Sequence, residues 1–499
     1  MRKLSTYMSG YGEAGASWKK RNLKSFNAPS ISAREDIDWN NYTMRQRARM
    51  LYMAAPLATS AIKTNRTNVV GCGLKLQAKP DAEILGLSEE ALAAWRKKTE
   101  AEFELWARKK TSCDATGVNN FYGLQQLALT SWLLSGDVFA VVKNEDPTPH
   151  DPYSLRIFLI EADRVTTPGT KMPAPMTEGI NEKNGNKIFD GVEINKNGKV
   201  VAYHIAKHYP NQICTDADEW TRVEAFDKLT GLPNILQVMD AERPEQYRGI
   251  SYLAQIIEPM LQMRRFTEST LTAAVIQSFF TAFVTTQADP ASMPYNEAGE
   301  PQISDSDDEY EMGAGQINIM KPGEDIKFGD PSQPGNTFEG FMKTMSNICG
   351  AALEVPGDLL MKSFNASYSA SRAALLEAWK AFRMRREWFV DDFCKPIYEL
   401  WLYEAVARGR ILAPGFFNDP IIREAWLGSE WVGPSQGQLD PVKEIQAEEL
   451  AVKNGFSTHE QSTIRLNGGQ WNANMRTLAE ENKKLEDAMI KEDTNAVTD

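Results

Sequence analysis

The stretch from Phe338 to Gly409 constrains this chain more than any other. A helical segment, FEGFMKTMSNICGAAL, meets a Pro-Gly break at EVPGDLL. A loop of small polar residues, MKSFNASYSAS, follows, and then the run RAALLEAWKAFRMRREWFVDDFCKPIYELWLYEAVARG. Leu375, Trp379, Phe382, Phe389, Phe393, Ile397 and Trp401 recur there at helical spacing, so one apolar stripe persists along the run. At about 1.5 Å per residue, a helix from Ser371 to Arg408 approaches ~60 Å, longer than most globular domains need. A long ridge behind a small-residue joint suits a subunit that works inside an assembly.

The chain has 499 residues, which implies several domains or a composite fold. Its 42% hydrophobic and 24% charged content is that of a soluble folded protein. A net charge of −12 is unlike the basic balance of a duplex-DNA binder. Cys72, Cys113, Cys214, Cys349 and Cys394 are dispersed and form no CxxC pair, so they read as reduced thiols in a cytosolic setting. His150, His204, His208 and His459 are few for a hydrolase or metalloenzyme of this size. The first residues are polar and basic, with no apolar run of the signal-peptide kind. The uncharged stretch Thr270–Ala288 is rich in threonine and lacks aromatic belts, which predicts a buried helix and no membrane span.

Residues 1–40 read as a flexible basic arm, either a solvated tail or a contact for nucleic acid or an acidic partner. Helical patterns follow from Asn41, with Pro56 opening a second helix, Ser88 capping a third and Gly136 ending a fourth. NVVGCGLKLQAK reads as a strand with a glycine-rich bend. DVFAVVKN, SLRIFLIEA, KIFDGVEIN, KVVAYHIAK, TRVEAF and NILQVMD are strand patterns, and Asn197-Gly198 signals a hairpin. A helix is expected from Gly249 through Phe280, kinked at Pro259. Residues 289–336 are turn-rich and acidic, with strand signals at GQINIM and EDIKFG. WVGPSQGQLDP looks like a connector, and residues 441–490 like a helix, a turn and a helix. The resulting fold class is α+β, a helical stalk interrupted by a small β insert.

No motif nominates a catalytic constellation. Gly10, Gly12 and Gly15 satisfy G-x-G-x-x-G, but no strand precedes them and no helix follows. A GxxxxGK[ST] loop, a G-x-S-x-G elbow and HExxH are absent. The acidic run at Asp305, Asp307, Asp308 and Glu309 has Tyr310 where an EF-hand needs glycine, so it reads as a solvated loop or a partner surface. No cofactor or metal is expected. Arg383, Arg385 and Arg386, with Arg372 near the start of the long helix, suit either i,i+4 pairing with carboxylates such as Glu387 and Asp391 or contact with another subunit or a polyanion. Arg264 and Arg265 invite the same two readings.

Several segments in order resemble the portal proteins of tailed phages, of the lambda-type family. They are NRTNVVGCGLKLQAKPD, AERPEQYRGISYLAQII with its Arg-x-x-Gln-x-Arg-Gly pattern, GEDIKFGDPSQPGNTFEGF, GAALEVPGDLLMKSFNASYSASRAALLEAW, and LDPVKEIQAEELAVKNGFSTHEQ. The similarity covers roughly residues 40–490. The resemblance implies a ring, usually a dodecamer, at one capsid vertex in the virion, assembled in the host cytoplasm. Double-stranded DNA would pass through it without sequence specificity during packaging and ejection. It implies a wing at 41–245, stem helices at 246–285 and 337–357, and a clip at 286–336. It further implies a tunnel loop at 358–369, a long helix returning to the wing at 370–439, and a crown and tail at 440–499. Lys362, Ser363, Phe364, Asn365, Ala366, Ser367 and Tyr368 would then line the channel, and Asp305, Asp307, Asp308 and Glu309 would face the packaging motor. Arg264, Arg265, Arg372, Arg383, Arg385 and Arg386 would lie between subunits or near DNA. The implied partners are further copies of the chain, the terminase large subunit, the major capsid protein and scaffold, and head–tail connector proteins.

Overall fold

The computed structural model describes residues 15–17, 20–26, 29–169, 178–210, 220–278, 282–284, 317–319, 337–364, 367–437 and 440–496. Helix α1 (Ala33–Ala54) starts inside the expected flexible arm. Its cause is a reciprocal cap: Ser32 Oγ accepts from Glu35 N at 3.3 Å, and the Glu35 carboxylate accepts from Ser32 N at 3.0 Å. Proline opens α2 (Pro56–Val69), and Gly71 and Gly73, both at positive φ, turn the chain into β1 (Lys75–Ala78). Next come α3 (Ala82–Leu85), α4 (Glu89–Arg108) behind its Ser88 cap, α5 (Lys110–Cys113), and α6 (Phe121–Ser135), stopped by Gly136.

The strand patterns match the observed strands. β2 (Asp137–Asn144), β3 (Leu155–Glu161) and β9 (Ile235–Met239) form an antiparallel sheet of order β3-β2-β9. The other sheet runs in sequence order through β4 (Glu178–Ile180), β5 (Lys187–Phe189), β6 (Val192–Ile194), β7 (Val200–Ala206) and β8 (Trp220–Glu224). KIFDGVEIN is therefore two strands, turned at Asp190 and Gly191, both at positive φ. The hairpin turn at Asn197-Gly198 forms, closed by Asn195 N donating to Lys199 O at 2.9 Å. Phe139, Val141, Ile160, Phe189, Val192, Tyr203, Ile205 and Ile235 fill a core shared by the two sheets.

Helix α7 (Ile257–Ser278) follows a short 3₁₀ turn. Pro259 falls in its first turn, where no intrahelical N–H is needed, and so it does not kink the helix. The expected buried helix at Thr270–Ala288 is corrected too: α7 ends at Ser278, Leu271 and Val275 face outward, and β10 (Ala282–Val284) follows. β10 pairs in parallel with β11 (Ile317–Ile319); the EDIKFG signal lies outside the described residues. No helix among the described residues is long and apolar enough to cross a membrane.

Then come α8 (Thr337–Ala352), α9 (Gly357–Met361), α10 (Tyr368–Phe389) and α11 (Lys395–Ala407). Helical backbone is continuous from Tyr368 to Ala407, but Val390–Cys394 is a π turn in which Lys395 N donates to Val390 O. Pro396 explains it: its ring crowds the carbonyl four residues back, and it has no N–H for that carbonyl to accept. α12 (Pro420–Leu427) leads into β12 (Ser429–Val432), which pairs antiparallel with β1, so the expected connector begins as a strand. Three C-terminal helices follow where two were expected: α13 (Pro441–Lys453), α14 (His459–Asn467) and α15 (Trp471–Ala496). The main core centres on aromatic rings. Phe103 lies 5.1 Å from Trp401, 5.7 Å from Phe121 and 5.8 Å from Trp431.

A buried ionic cluster joins α1 to both sheets. Arg248 Nε donates to Asp137 Oδ2 at 2.6 Å, and its Nη1 lies 2.7 Å from Asp190 Oδ2. Arg45 on α1 donates to Asp190 at 3.1 Å and lies 3.8 Å from Asp163. Burial opposes ionisation of Asp137, but Arg248 and Arg45 outweigh it and hold its carboxyl below the usual range. Asp38 is 4% exposed, and its Oδ2 has no hydrogen-bond partner. Burial, then repulsion from Asp190, pushes it from 3.8 up to about 7, against attraction from Arg248, Arg45 and Arg34.

The folded chain thus holds a proton on Asp38 through a window where the unfolded chain has lost it. That contribution to stability fades as pH rises from about 4 to about 7. Asp38→Asn should be neutral below about pH 4 and stabilising by on the order of 2 kcal/mol above pH 7, checked by urea melts across that range.

Candidate channel loop and stem junction

Helices α7 and α8 run antiparallel. Phe266 of α7 stacks on Phe341 and Phe338 of α8, with centroids 4.3 and 5.7 Å away, while Tyr252 ahead of α7 reaches Leu353 O just past α8. Arg385 of α10 fastens that junction. Its Nη2 donates to Glu354 Oε2 at 2.6 Å and Leu353 O at 3.4 Å, its Nη1 donates to Asn65 Oδ1 of α2 at 3.0 Å, and its guanidinium lies 4.7 Å over the Tyr252 ring. One buried side chain therefore ties α2, the shared base of the α7–α8 pair and the long helix.

Helix α9 leaves this knot through a strained turn. Glu354 and Lys362, both at positive φ without being glycine, stand on either side of α9. Leu360 is buried, and its carbonyl accepts from Ser60 Oγ at 2.8 Å, which pins α9 to α2. Gly357 leaves room for Asn347, whose Oδ1 would lie 2.2 Å from a Cβ there and would have to shift for any larger residue.

The expected loop 358–369 is shorter than read: Asp358–Met361 are helical, and Lys362 caps α9 in the left-handed conformation. Ser367 is the N-cap of α10, its Oγ accepting from Ala370 N at 3.4 Å, and Tyr368 is already helical. Lys362 and Phe364 are exposed and Ser363 half-buried, while Asn365 and Ala366 lie outside the described residues. So do Asp305, Asp307, Asp308 and Glu309.

The six arginines do not form one surface. Arg385 is buried in the knot, and its carboxylate partner is Glu354, not a neighbour on its own helix. Arg386 donates to Asn68 O, Val69 O and Pro434 O, each at 2.8 Å, capping the C-terminal end of α2. Burial, then Arg383, pushes the Arg386 guanidinium down to about 10. The expected i,i+4 pairing fails for both, because their helix face points inward; Asp391 pairs with Lys395 instead. Arg264 pairs with Glu268 at 2.8 Å on the surface of α7, and Arg372 reaches Glu444 of α13 at 3.7 Å. Arg265 and Arg383 are exposed, with no ion pair among the described residues.

Arg385→Met should cost about 2–4 kcal/mol, since it leaves the buried Asn65 Oδ1 without its donor and Glu354 without its cation, while Leu353 O keeps Tyr252. The same variant should speed amide exchange across 353–363 while leaving β2, β3 and β9 unchanged. Uniform exchange across the chain would show that Arg385 is no local fastener.

The structure also explains the Arg-x-x-Gln-x-Arg-Gly segment. Arg243 ties to Asp36 of α1, Gln246 Nε2 donates to Arg248 O at 2.9 Å, and Arg248 centres the buried ionic cluster. At Gly249 a Cβ would meet Gly136 O at 1.8 Å.

The chain matches the family described as phage portal protein, lambda family, over residues 19–386. It is 22% identical to portal protein B of Escherichia phage lambda over 485 residues, covering 93% of this chain and 88% of that protein. The portal protein of Escherichia phage N15 gives the same identity and coverage. Among solved structures, a chain of the virion of a native gene transfer agent particle aligns with a TM-score of 0.42 at 13% identity, covering 86% of this chain and 94% of that one. The matched region takes in α1, the buried ionic cluster, the α7–α8 pair and the arginine knot, and by it the chain belongs to the lambda family of phage portal proteins.

Proposed function

We propose that this chain assembles into the ring at one capsid vertex through which double-stranded DNA is packaged and later ejected. The observation that carries the reading is the connection α7, β10, β11, α8, α9, loop, α10: an antiparallel helix pair leaves the body, carries a small β insert, and returns to a polar joint ahead of the longest helix. In this reading α7 and α8 are the stem, residues 286–336 the clip, and Lys362–Ser367 the tunnel loop. Residues 41–245 are the wing, and residues from about 440 the crown.

A channel must let DNA slide, and each phosphate neutralised by Lys or Arg adds affinity through counterion release. An acidic chain with a joint of Ser, Asn and Ala keeps that grip weak. The role is structural. ATP hydrolysis would belong to the terminase large subunit docked at the clip, and connector proteins would take the same face after packaging. The major capsid protein and scaffold would surround the wing. Negative-stain microscopy of the purified chain tests this: rings with a central hole wide enough for duplex DNA are expected. Discs without a hole would instead fit a connector or minor capsid protein lacking its own tunnel.

A further inference from the structure

Helix α1 is held in two different ways along its length. Its C-terminal half puts Ala48 and Leu51 into the main core. Its N-terminal half turns Asp38, Asn41 and Arg45 inward, all buried, onto the polar junction formed by Asp137, Asp190 and Gly249. Ala33 and Ile37 are buried there too, but they lie outside both cores. The remaining ties sit at the rim: Arg34 pairs with Glu178 at 3.3 Å and lies 3.8 Å over the Phe189 ring, and Asp36 pairs with Arg243. Rim ion pairs contribute little, so the first turns depend on their polar face being satisfied.

The charges at that face balance without Asp38. Arg45 pairs with Asp190, Arg49 with Asp163 and Arg248 with Asp137, three cations for three carboxylates. Arg49 also reaches Glu161 at the surface, and Arg34 is engaged by Glu178. Asp38 is thus a further carboxyl group with no cation left for it, at 4% exposure. Ionised there it would be a buried charge without a partner, which is costly; protonated it is neutral.

A buried carboxyl proton needs an acceptor. Asp38 Oδ2 and Asn41 Oδ1 are both buried oxygens without a hydrogen-bond partner. They stand three residues apart on one face of α1, a spacing at which helix side chains meet. The Asn41 amide is oriented by its own Nδ2, which donates to Gly249 O at 2.9 Å. Each orphaned acceptor is a cost by itself, and one proton satisfies both.

We propose that a proton on Asp38, donated to the Asn41 amide oxygen, is the latch that holds the first turns of α1, and that its loss releases those turns while Ala48 and Leu51 stay anchored. Once the proton is gone, the carboxylate meets Asn41 Oδ1 and Asp190, and the cations near it, Arg248, Arg45 and Arg34, are already engaged. Asp36, Ile37 and Asn40 form one wall of a cleft of about 820 Å³ whose other wall includes Met384 and Trp388 of α10, so release of the latch opens that cleft. The device belongs to the single chain and does not depend on the ring.

The sign of the pH dependence follows from linkage. Closed, Asp38 holds its proton up to about 7; open, it ionises at its ordinary value of 3.8. Opening should therefore grow by up to about tenfold per pH unit between about pH 5 and 7 and level off above that. Hydrogen exchange of the full chain tests this on peptides covering 33–42, each rate divided by the intrinsic rate at that pH. The parent should show the rise. Asp38→Asn should be flat, because its amide donates to Asn41 without titrating, and peptides covering 46–54 should be flat in both. A parent that is flat, or an Asp38→Asn chain that keeps the rise, would overturn the proposal. Infrared difference spectra, parent minus Asp38→Asn near neutral pH, give a second measurement. They should show the carbonyl stretch of one protonated acid, which Asn41→Ala moves to higher frequency. A missing band, or one that Asn41→Ala leaves unmoved, would overturn it as well.

Discussion

An Arg248→Met chain is expected to lose about 3–5 kcal/mol, a large share of the ~5–15 kcal/mol that holds a domain folded. The guanidinium is fully buried and serves five acceptors: the carboxylates of Asp137 and Asp190 and the carbonyls of Ala162, Val165 and Asp190. Methionine fills the volume but leaves two buried carboxylates facing one remaining cation, Arg45, 3.9 Å from Asp137 and 3.1 Å from Asp190. Removing one partner of a buried pair strands the other, which costs more than the pair itself contributed. Urea melts should show the loss. Adding Asp137→Asn should recover part of it, since one stranded charge is then gone. A single variant within about 1 kcal/mol of the parent would show that water or backbone movement relieves the cluster.

The second large effect is functional. Rings carrying Ser363→Lys and Asn365→Lys should package DNA at least about tenfold more slowly at low salt, because in the proposed channel loop every subunit then adds two cations and each phosphate contact strengthens the grip. Raising the salt should restore much of the rate, as counterion release predicts. Packaging at the parent rate in low salt would remove this loop from the channel. Ser367 is left alone because it caps α10, and losing the cap would add a stability cost of about 1 kcal/mol unrelated to DNA.

Much of this architecture could be read from the chain, and the gaps have physical causes. DVFAVVKN became β2 residue for residue, because a continuous apolar run rich in valine suits a central strand buried on both faces, with Val138 and Ala140 in one core and Phe139 and Val141 in the other. Pro56, Ser88 and Gly136 act locally, and they sit where their backbone chemistry requires. The start of α1 is equally legible in Ser32 and Glu35, at capping-box spacing within the basic arm. The π turn had a signal as well: Phe389, Phe393, Ile397 and Trp401 are each four residues apart, a spacing that drifts around an α-helix, and Pro396 falls among them. Arg385 and Arg386 were not legible. Carboxylates stand close to them in sequence, whereas their actual partners, Asn65, Glu354 and the end of α2, come from distant segments. Helix α9 was hidden because a helix of five residues is too short to show periodicity, and its Pro-Gly start reads as a break.

The pairing of β1 with β12 bears on how the chain is made. Lys75 meets Val432 and Ala78 meets Ser429, and Trp431 completes the aromatic cluster around Phe103. Everything from the α4 helix to the long ridge is synthesised between those two strands. At about 5–20 residues per second, the ribosome leaves β1 an unpaired edge for tens of seconds. During that interval the nascent N-terminal helices expose an aromatic surface and a free strand edge together. A host chaperone that shields such surfaces would therefore govern the yield of this protein, and a transcript shortened before codon 429 would yield an aggregating chain, not a smaller folded one.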